Sequence, residues 1–148
     1  MIYWEDVEVG TVERFGAYEV TRDEVLAFAR AYDPQPFHLD DEAAAQSLFG
    51  RLSASGWHTC AMTMRMLVDH MGKTDMASLG SPGIDELRWL KPVHPGDMLS
   101  VETEILEKRP LESRPDVGLH KSLTRVFNQD GVEVMRFISN MMMRRRPD

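Results

Sequence analysis

The chain has 148 residues, and its hydrophobic share of 43% is typical of one globular domain. Its 17 basic and 24 acidic residues give a net charge of −7, which argues against a general nucleic-acid binder, because such proteins need a concentrated basic face. A single cysteine, Cys60, excludes an internal disulfide and cannot anchor a structural zinc site alone. The acidic N-terminus does not resemble a signal peptide, and no apolar run approaches the roughly 18 residues of a membrane span. We therefore expect a soluble, reduced, cytoplasmic protein with one domain over residues 1–148.

The first part of the chain is predicted to be a strand followed by a helix. Thr11 to Val20 is rich in aromatic and β-branched residues, which favours extended backbone. Thr21 and Glu24 then match a capping box, in which each side chain bonds the backbone amide of the other. Apolar residues at helical spacing continue to Tyr32, and the prolines at 34 and 36 end the helix.

Two more helices are predicted before residue 72. The shorter helix, Asp41 to Phe49, has Asp40 as its N-cap and Gly50 as its stop. The longer helix runs from about Trp57 to Met71, and a continuous apolar stripe predicts that most of its circumference is buried. The stripe consists of Trp57, Cys60, Ala61, Met64, Leu67, Val68 and Met71, widened by Met62 and Met66.

From Gly83 onward the pattern is typical of strands. Apolar and polar residues alternate from Leu99 to Ile105, which predicts a sheet with one wet face. His120 to Phe127 and Val132 to Met143 flank an Asp-Gly turn at residues 128–131, which predicts a hairpin. A strand, then helices, then a block of strands favours the α+β class, with a mostly antiparallel sheet against one long helix.

The most unusual segment is the loop from Asp33 to Asp40, in which an acid, Asp33, precedes an imidazole, His38, by five positions. A carboxylate and an imidazole that converge on one water can share general acid–base work, because their unperturbed pKa values are about 3.9 and 6.5. The alternative is a surface turn in which Asp33 caps backbone amides and His38 is solvated. The spacing alone leaves both interpretations open.

A second feature is the small-residue segment from Ser53 to His58, at the start of the long helix. Gly56 lets another group approach the backbone closely, and free amides at a helix N-terminus suit an anion or a developing oxyanion. The alternative is an ordinary helix start with Ser53 or Ser55 as its N-cap. His58 is interpreted as a histidine of the core or behind the site, since no metal-ligand spacing supports a metal centre.

Together the two segments resemble the MaoC-like dehydratases, which include the (R)-specific enoyl-CoA hydratases of the hot-dog fold. Asp33, Pro36 and His38 match the family's acid, proline and histidine, and Gly56 matches the glycine before its central helix. The stretch from Leu87 to Asp97 resembles the segment that precedes the family's last strands. The resemblance covers nearly the whole chain in the right order, and it implies a hot-dog sheet wrapped around a long central helix.

The resemblance implies a mechanism. Asp33 would be the principal base and His38 its partner, and together they would add water to a trans-2-enoyl-CoA to give a (3R)-hydroxyacyl-CoA. The amide of Gly56 would bind the thioester oxygen as it becomes enolate-like, and preorganised donors stabilise such charge strongly. No metal and no redox cofactor is implied, coenzyme A is part of the substrate, and the role would lie in fatty acid metabolism.

The resemblance also places further side chains beside the substrate. Gln35 stands where the family usually has asparagine, Ser55 stands where many members have histidine, and Trp57 follows the glycine. The candidates for the phosphates of coenzyme A are the basic residues Arg51, Arg88, Lys91 and the run Arg144 to Arg146. For the terminal run a solvated tail is the alternative. The helix methionines would line an adaptable acyl tunnel or simply pack the core, and the pattern leaves both open.

A single hot-dog unit implies a partner, since related proteins build the acyl site where two units meet. We therefore expect a homodimer or a higher assembly of dimers, which would also cover an edge strand. Two other functions stay open. A hot-dog acyl-CoA thioesterase is disfavoured by the pairing of Asp33 with His38, and a non-catalytic acyl-CoA-binding accessory subunit is disfavoured because both proton-transfer candidates are present.

Overall fold

The computed structural model describes residues 1–148 and contains one five-stranded sheet and three α-helices. The strands are β1 Val12–Glu19, β2 Ser78–Trp89, β3 Met98–Leu111, β4 Arg114–Phe127 and β5 Glu133–Arg144. The helices are α1 Arg22–Tyr32, α2 Asp41–Ala45 and α3 Gly56–Met71. All neighbouring strands are antiparallel, in the order β1-β3-β4-β5-β2, which confirms the predicted α+β class. None of the helices combines the length and apolarity that crossing a membrane requires.

The core lies between α3 and one face of the sheet. Met62 and Met66 of α3 are buried there, so these two methionines pack the core as the simpler interpretation of the methionine pattern proposed. Gly16 of β1 lets the helix approach closely, since a Cβ atom at this position would lie 2.6 Å from the Met66 sulfur. The sheet residues that pack against this cluster are Leu99, Val101, Val126, Met135 and Phe137.

The face of α3 that the sheet covers differs from the predicted one. The buried residues are His58, Thr59, Met62, Thr63 and Met66. The threonines can be buried because the Thr63 hydroxyl donates to the Thr59 carbonyl at 2.8 Å. Part of the predicted stripe lies outside, since Trp57, Met64 and Val68 are 60%, 49% and 50% exposed, whereas Cys60 and Leu67 are partly buried against the core. The prediction of a helix buried over most of its circumference is therefore wrong for one chain, and the exposed stripe is typical of an interaction surface.

Helix α2 is shorter than predicted. It begins at Asp41 and has Asp40 as its N-cap, as expected, but it ends at Ala45 rather than Phe49. The Ser47 hydroxyl donates to the Ala44 carbonyl at 2.7 Å and accepts from the Phe49 amide at 3.1 Å. These side-chain bonds compete with the helical pattern, so the chain turns there instead of continuing the helix.

The start of α1 confirms one half of the predicted capping box. The Glu24 amide donates to the Thr21 hydroxyl at 3.3 Å. The reciprocal half is wrong, because the Glu24 carboxylate accepts from the Tyr18 hydroxyl at 2.9 Å instead of reaching back to the helix start. The partner of the Glu24 carboxylate is thus Tyr18 of the preceding strand instead of the backbone at the helix start.

Two strands begin earlier than predicted, β2 at Ser78 rather than Gly83 and β4 at Arg114 rather than His120. The early part of β2 contains Pro82, which edge strands tolerate because one side of the strand forms no ladder. The Asp-Gly hairpin is confirmed: Gly131 has a φ of +73° and closes the turn between β4 and β5.

Candidate functional site

Asp33 and His38 are positioned by the end of α1 and the turn that follows it. Asp33 is the C-cap residue of α1, and its amide donates to the Ala29 carbonyl at 2.9 Å. His38 ends a 3₁₀ turn, Pro36–His38, whose prolyl start holds the backbone in a compact loop. The loop therefore returns His38 to the side of Asp33, in agreement with the acid–base interpretation of the two that the spacing left open.

The two side chains form a close, largely buried pair. His38 Nε2 lies 3.4 Å from Asp33 Oδ2, and the exposed fractions of the two side chains are 5% and 16%. His38 Nδ1 lies 2.8 Å from the Ser53 carbonyl oxygen. A carbonyl can only accept, so Nδ1 carries the proton of this bond, and the ring directs Nε2 toward Asp33. The surface-turn alternative, with a solvated His38, is wrong.

Asp33 accepts hydrogen bonds from side chains rather than capping backbone amides. The Ser55 hydroxyl donates to Oδ2 at 2.7 Å, and the Gln35 amide donates to Oδ1 at 2.6 Å. Partial burial acts to raise the pKa of Asp33, but these two bonds and the neighbouring His38 outweigh it and hold the pKa below its usual value. Asp33 is thus a carboxylate at neutral pH.

Replacing Ser55 by alanine is expected to raise the pKa of Asp33. The Ser55 hydroxyl stabilises the charged carboxylate, so its loss favours the protonated form and moves the pKa upward toward the ordinary value. Carboxyl ¹³C chemical shifts recorded as a function of pH measure this directly. Ser81→Ala, on the exposed edge strand, is the control and should leave the Asp33 titration unchanged. An unchanged titration in Ser55→Ala would contradict the assigned role of this hydroxyl.

The start of α3 presents free amides. Ser55 occupies the N-cap position, but its side chain makes no capping bond because it is directed to Asp33, and the Ser53 hydroxyl has no partner at all. Ser55 is thus the N-cap residue, as the alternative proposed, but neither serine caps the helix amides with its side chain. The amides of Gly56 and Trp57 have no acceptor within the chain. Two unpaired donors at the positive end of a helix suit a developing negative charge.

Trp89, at the end of β2, was not found by sequence reasoning. Its indole Nε1 donates to the Gly56 carbonyl at 2.9 Å, although the two residues are 33 positions apart. Its ring lies edge-on to that of Trp57, with ring centroids 5.2 Å apart. Neither Gly56 nor Trp89 carries a local sequence pattern that points to the other, so only the fold reveals the contact.

The basic candidates for coenzyme A phosphates divide into two groups. Arg88 and Lys91 flank Trp89 in the chain, are exposed, and form no ion pair with a carboxylate. In the terminal run, Arg144 to Arg146, two members pair with the N-terminal turn. Arg145 bonds Glu5 at 3.0 Å, and Arg146 bonds Asp6. The side chain of Arg51 is exposed and, like those of Arg88 and Lys91, forms no ion pair with a carboxylate.

His58 lies behind the helix start and belongs to the core, as predicted. Its ring stacks on that of Phe28 from α1, with centroids 4.8 Å apart. Burial lowers the pKa of His58, although the charge of Glu24 acts in the opposite direction. His58 is therefore a neutral packing residue at physiological pH.

Comparison with known proteins shows the family of the chain. The family model described as "MaoC like domain" matches residues 7–126, which include the Asp33 and His38 loop and all of α3. The chain belongs to the MaoC-like domain family. A 3-hydroxybutyryl-CoA dehydratase from Methylorubrum extorquens is 31% identical over 116 residues, which cover 77% of this chain and 70% of that protein.

Two solved structures show the same fold. The MaoC-like dehydratase from Rhodospirillum rubrum is 42% identical, covers 100% of both chains and has a TM-score of 0.89. The R-hydratase PhaJ1 from Pseudomonas aeruginosa is 26% identical, covers 98% of this chain and 87% of that chain, and has a TM-score of 0.71. The predicted hot-dog fold is confirmed, and the family contains hydratases and dehydratases.

Proposed function

We propose that this MaoC-like protein adds water reversibly to the double bond of a trans-2-enoyl-CoA and forms a (3R)-hydroxyacyl-CoA. One observation carries the proposal: the Asp33 carboxylate and Nε2 of His38 face each other at 3.4 Å in a largely buried loop. Membership of a family that contains hydratases and dehydratases supports this reaction class.

Asp33 and His38 share one water in this proposal. In this proposal Nε2 is the unprotonated ring nitrogen, so Nε2 and Asp33 Oδ2 each accept a hydrogen bond from one water beside the pair, and the water oxygen faces C3 of the substrate. Asp33 removes a proton as the oxygen bonds to C3, and the electron pair of the double bond moves onto the thioester oxygen. Asp33 and His38 then return that proton to C2 of the substrate, and the thioester carbonyl forms again. Water alone balances the reaction, so the step needs no redox cofactor and no metal.

The start of α3 stabilises the intermediate charge. The thioester oxygen becomes enolate-like when water attacks, and the free amide of Gly56 is the donor for it. The acyl portion lies beside Gln35, Ser55 and Trp57, which surround Asp33 and Gly56. Arg88 and Lys91 are cations without ion-pair partners, close in the chain to Trp89, and they bind the phosphates of coenzyme A.

A second copy of this chain is the partner that completes the surface around the site. Strand β2 lies at the edge of the sheet, and within it only Leu87 is not exposed. The apolar stripe Trp57, Met64 and Val68 of α3 is uncovered as well. An unpaired edge strand and an apolar helix face are both liabilities that a homodimer, or a higher assembly of dimers, removes.

Replacing Val68 by glutamate is expected to weaken that assembly, because it introduces a charge into the exposed stripe of α3. Light scattering coupled to size exclusion measures the mass. The unmodified chain should elute at twice its 16.9 kDa mass or more, and Val68→Glu should shift toward the monomer. Val132→Glu, on the hairpin, is the matched control and should not change the mass. A monomeric unmodified protein at micromolar concentration would overturn the assembly.

A two-channel assay separates the proposed reaction from its alternatives. Over a panel of trans-2-enoyl-CoAs, hydration removes the absorbance of the conjugated enoyl thioester without releasing thiol. A thioesterase releases free coenzyme A, which a thiol reagent reports, and leaves the double bond intact. Acyl-CoA binding with neither reaction would indicate an accessory subunit and would rule out the hydratase.

A further inference from the structure

We propose that Trp89 is a positioning residue, which holds the first turn of α3 so that its free amides face the substrate. The proposal rests on the proposed hydratase function, which assigns the Gly56 amide at this helix start to the thioester oxygen. Trp89 itself does not contact the reacting atoms in this account and acts through Gly56.

The start of α3 has no side-chain cap of its own. Ser55 stands at the N-cap position, but its hydroxyl is directed to Asp33 rather than to the helix amides. The first helical residue is Gly56, which has more conformational freedom than any other residue type. A helix end without a side-chain cap frays readily, yet a donor for a developing oxyanion must be held in a fixed direction.

Trp89 anchors the helix start by a hydrogen bond and by direct packing. Its Nε1 donates to the Gly56 carbonyl at 2.9 Å. That carbonyl and the Trp57 amide belong to one planar peptide group, so the bond fixes the direction of the Trp57 amide and holds Gly56, whose own amide is the proposed donor, from its carbonyl side. The indole ring lies so close that a Cβ atom on Gly56 would come within 2.5 Å of it. The glycine and the tryptophan therefore form one interlocked contact.

Trp89 is itself held in place by its pairing with the neighbouring strand of the sheet. Trp89 pairs in register with Met135 of β5, whose side chain is fully buried. The next residue, Leu90, donates its amide to the Val134 carbonyl at 2.8 Å. The indole thus transmits the position of the sheet to the helix start, and the direction of the amides is set by the core rather than by a flexible loop.

The test compares Trp89 with Trp4, a second tryptophan that makes the same two kinds of contact elsewhere in the fold. Trp89→Phe keeps an aromatic ring but removes the indole donor, so kcat for enoyl-CoA hydration should fall roughly three- to tenfold, as expected for one hydrogen bond, with KM changed less than about twofold. Trp4→Phe is the matched control. Trp4 also donates its Nε1 to a backbone carbonyl, that of Leu119 at 3.0 Å, and its ring also packs on a glycine, Gly118. Trp4→Phe should therefore lower the stability of the fold but leave kcat for hydration unchanged.

Hydrogen–deuterium exchange reports on the same claim without activity. Amides in the peptide covering residues 54–62 should exchange faster in Trp89→Phe and at the unmodified rate in Trp4→Phe. Unchanged kcat and unchanged exchange in folded Trp89→Phe would overturn the proposal, and so would an equal loss of kcat in both variants. If the unmodified protein hydrates no enoyl thioester, the proposed function fails, whereas exchange at the helix start still decides whether Trp89 positions it.

Discussion

Asp33→Asn is expected to lower kcat for hydration by about 10²–10⁴, the usual contribution of a positioned general acid or base. Asparagine keeps the size of the side chain and can still bond Gln35 and Ser55, but it cannot take a proton from water. The fold should therefore survive, and the loss should lie in kcat rather than in KM. Steady-state kinetics with a trans-2-enoyl-CoA, alongside thermal melting, measure both quantities.

His38→Ala should reduce kcat by a similar factor of about 10²–10⁴, and the double variant should be little worse than the poorer single variant. This non-additivity follows from the structure, in which His38 Nε2 and Asp33 Oδ2 lie 3.4 Å apart and act on one water. His38→Gln accompanies it, since removing a buried ring leaves a cavity. Asp116→Asn, on the surface, should retain full activity. Full additivity of the two losses would contradict a shared water, and near-normal hydration by folded Asp33→Asn would remove Asp33 from the mechanism.

Gly56→Ala is the second substitution with a large expected effect. The added methyl group would lie 2.5 Å from the Trp89 ring, so either the ring or the helix start must move. Movement displaces the amide assigned to the thioester oxygen, and losing one such donor costs about 10²–10³ in kcat. Overpacking of this kind also costs about 1–3 kcal/mol of stability. Thermal melting identifies variant protein that is still folded, and kcat measured on that protein separates the loss of catalysis from the loss of stability.

Gly118→Ala is the matched control for Gly56→Ala. Its methyl group would lie 2.3 Å from the Trp4 ring, so it creates the same kind of clash away from the residues assigned to the site. It should destabilise the fold comparably but leave the kcat of the folded enzyme unchanged. If Gly56→Ala retained its kcat, or if both variants lost it equally, Gly56 would have no special role in catalysis.

The candidate site was predictable where its chemistry lies in adjacent residues. The loop from Asp33 to His38 combines unusual residue types at short spacing, and Gly56 opens a helix, so local patterns indicated both. The contacts that tune the site are long-range. Ser55 bonds Asp33 across 22 positions and Trp89 bonds Gly56 across 33 positions, and no periodicity encodes such pairs.

The fold shows the same division between local and long-range information. The order of strand and helices followed from periodicity and turn residues, and α3 runs to Met71 as predicted. Its buried face did not follow, because an apolar stripe does not reveal what covers it. Thr59 and Thr63 are buried, and the Thr63 hydroxyl has a partner within the helix, while Met64 and Val68 are exposed. Hydrophobicity alone could not rank these two faces.

Stereochemical analysis of the product tests the central claim most directly, namely that Asp33 and His38 direct one water to C3 of an enoyl thioester. The protein is incubated with a trans-2-enoyl-CoA, and the 3-hydroxyacyl-CoA is resolved by chiral chromatography, with folded Asp33→Asn run in parallel. We predict the (3R) product alone from the unmodified protein and almost none from the variant. A racemic product, release of free coenzyme A without hydration, or equal yields from the two proteins would contradict the account.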